Sequence, residues 1–272
     1  MNVKAYLARI GYSGMVRRDL ETLTAIHRAH LSAIPYENLD IHLGRSLPLG
    51  AGHAFDKIVS SRRGGWCYEM NGLLAAMLQE LGFDLYLAAG AVRREKFGDK
   101  TIGNHLVVIA QLERPYLVDV GFGDGPLDPI PLAEGRYMHG SFEIGLERQC
   151  EWWRFRNHTA AAGESFDFKE QPRDIDWFQE KCTELQTSPE SGFTKTTVLQ
   201  RRLPDRIYVL RGLRASNIRA SNATACVVES QSEYARLLSD WFDIDLGADL
   251  ARLWPVVEQQ HRAWLAEQAT AH

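Results

Sequence analysis

Cysteine is sparse in this chain: Cys67, Cys150, Cys182 and Cys226 stand far apart in 272 residues and include no C-x-x-C pair. Neither a disulfide framework nor a zinc knuckle is suggested, and the default role of each thiol is that of a small buried hydrophobe. Long apolar runs are missing too. No stretch approaches the roughly 18 residues that a membrane helix needs, and the opening MNVKAYLARIGYSG lacks the apolar core of a secretory signal, so a cytoplasmic protein without a membrane partner is expected. Charge of one sign is equally scarce. Lys+Arg 31 against Asp+Glu 35 leave a formal net charge of −4, and the basic pairs Arg17-Arg18, Arg62-Arg63, Arg93-Arg94 and Arg201-Arg202 are dispersed, which argues against nucleic acid. Repeats, low-complexity linkers and a Walker-type phosphate loop are absent. What remains is an ordinary globular composition, 45% hydrophobic and 24% charged, in a chain long enough for a large core.

Hydrophobic spacing divides the chain. From Asp19, a plausible N-cap, Leu20, Leu23, Ile26, His27, His30, Leu31 and Ile34 recur at helical intervals until Pro35. Residues 54–60 read as a short helix, Arg62-Arg63-Gly64-Gly65 as a break that glycine eases, and 68–81 as a third helix stopped by Gly82. After Phe83 the texture turns to β, with expected strands at 85–92, 105–112, 116–120, 142–155 and 165–168. Past Ser188-Pro189 come strand-like stretches at 196–203, 206–210 and 225–229, then helices at 233–242 and 249–268, the last interrupted or kinked at Pro255. Without a linker, the three regions are expected to pack as one body.

Cys67 directly follows the Gly-Gly break and opens a helix, where unpaired N–H groups and the positive end of the helix dipole favour a thiolate and can stabilise an oxyanion. Whether His105 and Asp119 can serve it depends on one hairpin. A two-residue loop at Glu113-Arg114 puts the two side chains on opposite faces. A three-residue loop of Glu113, Arg114 and Pro115 pairs 112 with 116 and leaves His105 and Asp119 on one face as diagonal neighbours; Pro115, which cannot donate to a ladder, favours it. Asp119 among Leu117, Val118 and Val120 is costly as packing unless paired, and His105 is the available partner. Cys, His and Asp together suit nucleophilic catalysis: the imidazole takes the thiol proton and the carboxylate fixes its tautomer.

The stretch Arg63-Gly64-Gly65-Trp66-Cys67-Tyr68-Glu69-Met70-Asn71 resembles the nucleophile motif of the arylamine N-acetyltransferase family. His27-Arg28-Ala29-His30, Ile34-Pro35-Tyr36-Glu37-Asn38-Leu39, Asn104-His105-Leu106, Val118-Asp119-Val120-Gly121-Phe122-Gly123 and Thr187-Ser188-Pro189-Glu190-Ser191-Gly192-Phe193 resemble further signatures of that family, from about residue 20 to 193. The resemblance implies an α+β fold with a papain-like cysteine-enzyme core: a helical bundle (1–84) carrying the nucleophile, a β-barrel (85–188) carrying His and Asp, and an α/β lid (189–272). It implies a triad of Cys67, His105 and Asp119, and ping-pong acetyl transfer from acetyl-CoA to an arylamine, hydrazine or arylhydroxylamine, in a monomer or homodimer with no metal. Such amines are largely unprotonated near neutral pH and attack without first losing a proton. Phe122 is implied as the residue stacking on the acceptor, with Tyr68 and Val92 behind it. Where many members carry Thr or Ser, Asn104 can also donate, and with Gly123 it is the expected cofactor contact. An amide synthase closing macrolactams, or a thiol hydrolase of papain or transglutaminase type, would use the same triad.

Other polar residues have plainer expected roles. His27 and His30 are expected to make hydrogen bonds in the core rather than hold a metal, Glu37 and Asn38 to order a turn, and Arg63 to hold the Cys67 loop by an ion pair. Trp152-Trp153 reads as packing, and Cys150, Cys182 and Cys226 as structural. Asp124 would be unhelpful if it faced phosphates.

Overall fold

The computed structural model describes residues 1–270. Helices Val3–Ile10, Leu20–Ala33 and Cys67–Glu80 pack together through Tyr6, Leu23, Ile26, Leu73, Leu74 and Leu78, all fully buried. Asp19 does cap the second helix, its carboxylate accepting from Thr22 N at 2.8 Å. The first helix is capped by Asn2 and ended by Gly11 in the left-handed region at φ 71°, a start and stop that apolar spacing in so short a segment does not reveal.

Against the helices lies an antiparallel sheet of eight strands, in the order Ile130–Pro131, Pro115–Val118, Ile102–Gln111, Asp84–Val92, Ser165–Arg173, Trp152–Arg156, Phe142–Gln149 and Gly135–His139. Strand Ile102–Gln111 is buried on both faces, and alternation decides what each face meets. Val108 and Ala110 pack on the helices. Val107 and Ile109 point the other way, into a core of Phe155, Phe166 and Phe168. His105, in phase with 107 and 109, has its ring 4.9 Å from that of Phe166.

The hairpin turns one residue earlier than expected. Its loop is Leu112-Glu113-Arg114, and Pro115 already stands opposite Gln111 as the first residue of its strand, where a missing N–H does least harm. Pairs 111 with 115 and 108 with 118 share the parity of the expected 112 with 116, so His105 and Asp119 keep to one face. The expected strand 142–155 is two strands broken at Cys150, which takes φ 56° in the turn.

A second antiparallel sheet orders Tyr36–Glu37, Val198–Arg202, Ile207–Arg211, Arg214–Ile218 and Ala223–Val227. Its first strand comes from the helical region and its core is closed by helices Gln231–Phe242 and Asp249–Thr270, the latter running without interruption through Pro255. No helix among the described residues is long and apolar enough to cross a membrane.

Candidate active site

The strand carrying His105 is longer than its hairpin partner. After Val118 the partner leaves the ladder, and the vacated edge is taken by the first turn of helix Cys67–Glu80. Asn71 Nδ2 donates to Leu106 O at 2.6 Å, and the N–H groups of Leu106 and Tyr68 bear on the Cys67 sulfur. The nucleophile candidate and the histidine strand are thus tied through backbone groups that a longer hairpin would have consumed.

Asp119 is the hub of this junction. Its Oδ2 lies 2.6 Å from His105 Nε2, while Oδ1 accepts from Asn71 Nδ2 and from Gly121 N, both at 2.8 Å. Burial pushes its carboxyl up, but the His105 ring and these N–H donors outweigh burial and hold it below the usual carboxylate range. An ionised carboxylate only accepts, so Nε2 carries the proton, and the basic lone pair of a neutral His105 ring sits on Nδ1. Asn71 Oδ1 in turn accepts from Val120 N at 2.9 Å, and His27 Nε2 lies 3.2 Å from Asp119 O. Gly121 is required here for want of space: an added Cβ would stand 2.9 Å from Cys67 Cα and 2.8 Å from Asn71 Nδ2. Asn71 was legible in principle, since one helical turn separates it from Cys67 on the same face.

The thiol departs from expectation. Cys67 is 2% exposed, and burial, with lesser pushes from Cys182 and Asp119, raises its pKa; the two backbone N–H groups counter only partly. A helix terminus alone does not yield a thiolate in so dry a place. Losing the thiol proton is cheap only if a neighbouring base gains it, leaving a compact ion pair rather than a lone buried charge.

The Gly-Gly break serves close approach, and the left-handed residue beside it is Arg62 at φ 52°. Gly64 and Gly65 zip onto the segment after Pro35: Glu37 N donates to Gly65 O at 2.9 Å, and a Cβ on Gly64 would stand 2.1 Å from Pro35 O. Beneath them lies a buried ionic network. Lys57 Nζ reaches Glu69 at 2.8 Å, Asp40 at 3.2 Å and Glu37 at 3.7 Å, and Arg63 adds Glu37 at 2.7 Å. Glu69 Oε2 also accepts from Trp66 N at 3.2 Å, anchoring the helix start. Burial disfavours the Lys57 ammonium, yet the three carboxylates together hold its pKa above the ordinary lysine value. Asn38 receives Val198 N at 2.7 Å and donates to Thr196 O at 2.9 Å, fastening the C-terminal sheet to the same corner.

A cleft of 370 Å³ opens over the junction, lined by Cys67, His105, Phe122, Val92, Phe193 and Arg211 among others. Phe122 stands edge-on to His105 at 5.3 Å. Asn104 also lines it, but its amide is engaged with the backbone of Val92, Oδ1 accepting at 2.7 Å. Tyr68 and Gly123 lie elsewhere: Tyr68 is buried with its hydroxyl donating to Gly103 O at 2.5 Å, and Gly123 packs against Gln200. Asp124 does border the cleft, but its carboxylate is consumed by Ala162 N at 2.7 Å and Asn157 Nδ2 at 3.0 Å. Burial pushes its pKa up to about 6, against the pull of those donors. His30 Nδ1 meets Tyr6 OH at 2.9 Å, and no cluster of three or more His, Cys, Asp or Glu suited to a metal exists among the described residues.

The N-acetyltransferase family profile matches residues 19–251. The chain is 32% identical over 276 residues to the chicken (Gallus gallus) arylamine N-acetyltransferase, pineal gland isozyme NAT-10, covering 90% of this chain and 95% of that one. Among solved structures it resembles the arylamine N-acetyltransferase of Mycobacterium abscessus, with TM-score 0.85, 30% identity and coverage of 96% and 95%. It also resembles the Mycobacterium marinum enzyme in complex with CoA, with TM-score 0.87, 27% identity and coverage of 95% and 99%.

Two stability measurements test this account. Lys57→Met leaves three buried carboxylates short of a counter-charge and is expected to cost about 3–5 kcal/mol in urea denaturation, whereas Arg136→Ala, which breaks an exposed pair, costs under about 1 kcal/mol. Equal losses contradict the network's role. For Asp124, a folded pKa above the unfolded one means that its contribution is complete below about pH 4 and lost as pH rises through about 6. The stability of the wild type minus that of Asp124→Asn should therefore shrink between about pH 4 and pH 7; a difference independent of pH contradicts it.

Proposed function

The chain belongs to the arylamine N-acetyltransferase family and is an acyltransferase using acetyl-CoA, and from that premise we propose that acetyl passes through a thioester on Cys67, with His105 and Asp119 completing the triad. The observation that carries this reading is the 2.6 Å contact of His105 with Asp119 beside a cleft that Cys67 also lines. As Cys67 attacks the acetyl carbonyl, its proton goes to His105 Nδ1, and the imidazolium is stabilised through Nε2 by Asp119. The C–S bond to CoA then breaks and CoA leaves as the thiol, taking the proton back from His105. In the second half the arylamine nitrogen attacks the thioester carbonyl and His105 accepts the amine proton; the acetyl C–S bond then breaks, and Cys67 takes that proton back from His105 to leave as the thiol.

Apolar walls at Phe122, Val92 and Phe193 suit a flat aromatic acceptor with few hydrogen bonds to satisfy. Arg93 and Arg211 also border the cleft. Burial and the nearby Arg93 both lower the pKa of Arg211. Two guanidiniums at one mouth repel until an anion joins them, and a CoA phosphate group has the chemistry to do so.

Steady-state kinetics with acetyl-CoA and an arylamine should give the parallel double-reciprocal lines of a ping-pong reaction. Asp119→Asn should fold but lose about 10³–10⁴ in kcat, because the amide favours the wrong imidazole tautomer. Intersecting lines, or an Asp119→Asn variant within tenfold of the wild type, would overturn the triad reading.

A further inference from the structure

Between strands Trp152–Arg156 and Ser165–Arg173 runs a loop, residues 157–164, that reaches over the cleft. Its Ala162 and Gly163 line the cleft together with Cys67 and Phe122. The fastening is polar. Asp124 Oδ2 accepts from Ala162 N at 2.7 Å and Oδ1 from Asn157 Nδ2 at 3.0 Å, while Asn157 Nδ2 also donates to Gly163 O at 3.0 Å. The Asp124 carbonyl stands 3.1 Å from His158 Nε2. Arg93, which pairs with Ser165 at the end of the loop, also donates to Ala162 O at 3.1 Å. Asp124 is 1% exposed, so this is a built latch rather than a passing surface contact.

The loop is pressed against the Phe122 ring. A Cβ added to Gly163 would lie 2.8 Å from Phe122 Cζ and 3.0 Å from Cε1, closer than real side chains approach. The ring has little room to yield elsewhere, with Phe166 at 4.9 Å, Phe155 at 5.8 Å and His105 at 5.3 Å between centroids, and a Cβ on Gly125 would come within 2.9 Å of Phe122 Cβ. Gly163 does not occupy the left-handed region, so its backbone admits alanine; only the ring forbids it. Nothing in the transfer chemistry requires this arrangement.

We propose that loop 157–164 is the outer wall of the acceptor pocket, that Gly163 determines how bulky an arylamine is accepted by leaving space for the Phe122 ring, and that Asp124 is the positioning residue holding the wall in place. Resting on transfer through Cys67, this inference separates two opposite changes. A side chain at Gly163 pushes the ring toward the bound amine while the latch holds, narrowing the pocket. An amide at Asp124 has one acceptor oxygen where the carboxylate has two and brings two N–H groups of its own, so the wall loosens and the pocket widens.

The test is single-turnover discharge of enzyme already acetylated and freed of CoA, using aniline as the slim acceptor and 4-phenylaniline as the bulky one. Expected for Gly163→Ala is a fall of at least tenfold in the ratio of the 4-phenylaniline to the aniline discharge constant; expected for Asp124→Asn is a several-fold rise in that ratio. Ratios within twofold of the wild type in both variants, or equal losses for both acceptors, overturn the proposal. Should Gly163→Ala fail to fold, as judged by its thermal midpoint, the Asp124→Asn ratio decides alone. A wild type that never acquires the acetyl group defeats the transfer reading instead, before any ratio is measured.

Discussion

Asp119 carries a charge in a place where, among the described residues, no lysine or arginine lies within 4.0 Å of it, and the geometry around Cys67 follows from how that charge is supported. Three N–H groups converge on it, from His105, Asn71 and Gly121, and each comes from a different element: the long strand, the nucleophile helix and the turn after the short strand. Satisfying one buried carboxylate therefore locks three pieces of chain into one arrangement, because leaving any donor out strands charge in a dry interior. The same requirement explains why the short strand stops at Val118. Continued pairing would have covered the edge on which Asn71 and Cys67 now sit.

A second constraint works from the far side of the helix start. The Lys57, Arg63, Glu37, Asp40 and Glu69 network holds the loop before Cys67 against the segment after Pro35, and the glycines allow the two backbones to touch. Buried ion pairs seldom add net stability, but they penalise every arrangement that separates their members. The nucleophile is thereby fixed from both ends of its first turn, by Asp119 through Asn71 and by Lys57 through Glu69. A base held at one distance from a buried thiol matters more than usual here, since burial raises the thiol pKa and only a paired proton transfer avoids an isolated charge.

Much of this was legible in the residues. Strand parity put His105 and Asp119 on one face, because any odd-length loop in an antiparallel hairpin does so, and the misplaced turn at 113–115 left that conclusion intact. The helix opened by Cys67 and the cap at Asp19 follow from local signals. What stayed hidden depends on contacts distant in sequence. Spacing does not tell that Gly64 is small in order to meet Pro35 and Gly65 in order to meet Glu69, that Asp124 is spent on a loop, or that Tyr68 and Gly123 stand off the cleft. Nor does a helix N-terminus disclose its own desolvation, so the sequence points to a thiolate where burial pushes the thiol pKa up. Short strands such as Arg214–Ile218 and Ala223–Val227 lack the apolar alternation that marks the core ones, being paired by a hairpin whose last strand is exposed along its length.

The central claim is that Cys67 carries the acetyl group between donor and acceptor. Intact mass after mixing the protein with acetyl-CoA alone, for wild type and Cys67→Ala, tests it most directly. The account predicts one added acetyl group on the wild type, none on the variant, and its removal when an arylamine is supplied. A wild type that gains no acetyl group while Cys67 is still alkylated by iodoacetamide, or a variant that is acetylated and discharged equally well, would contradict it.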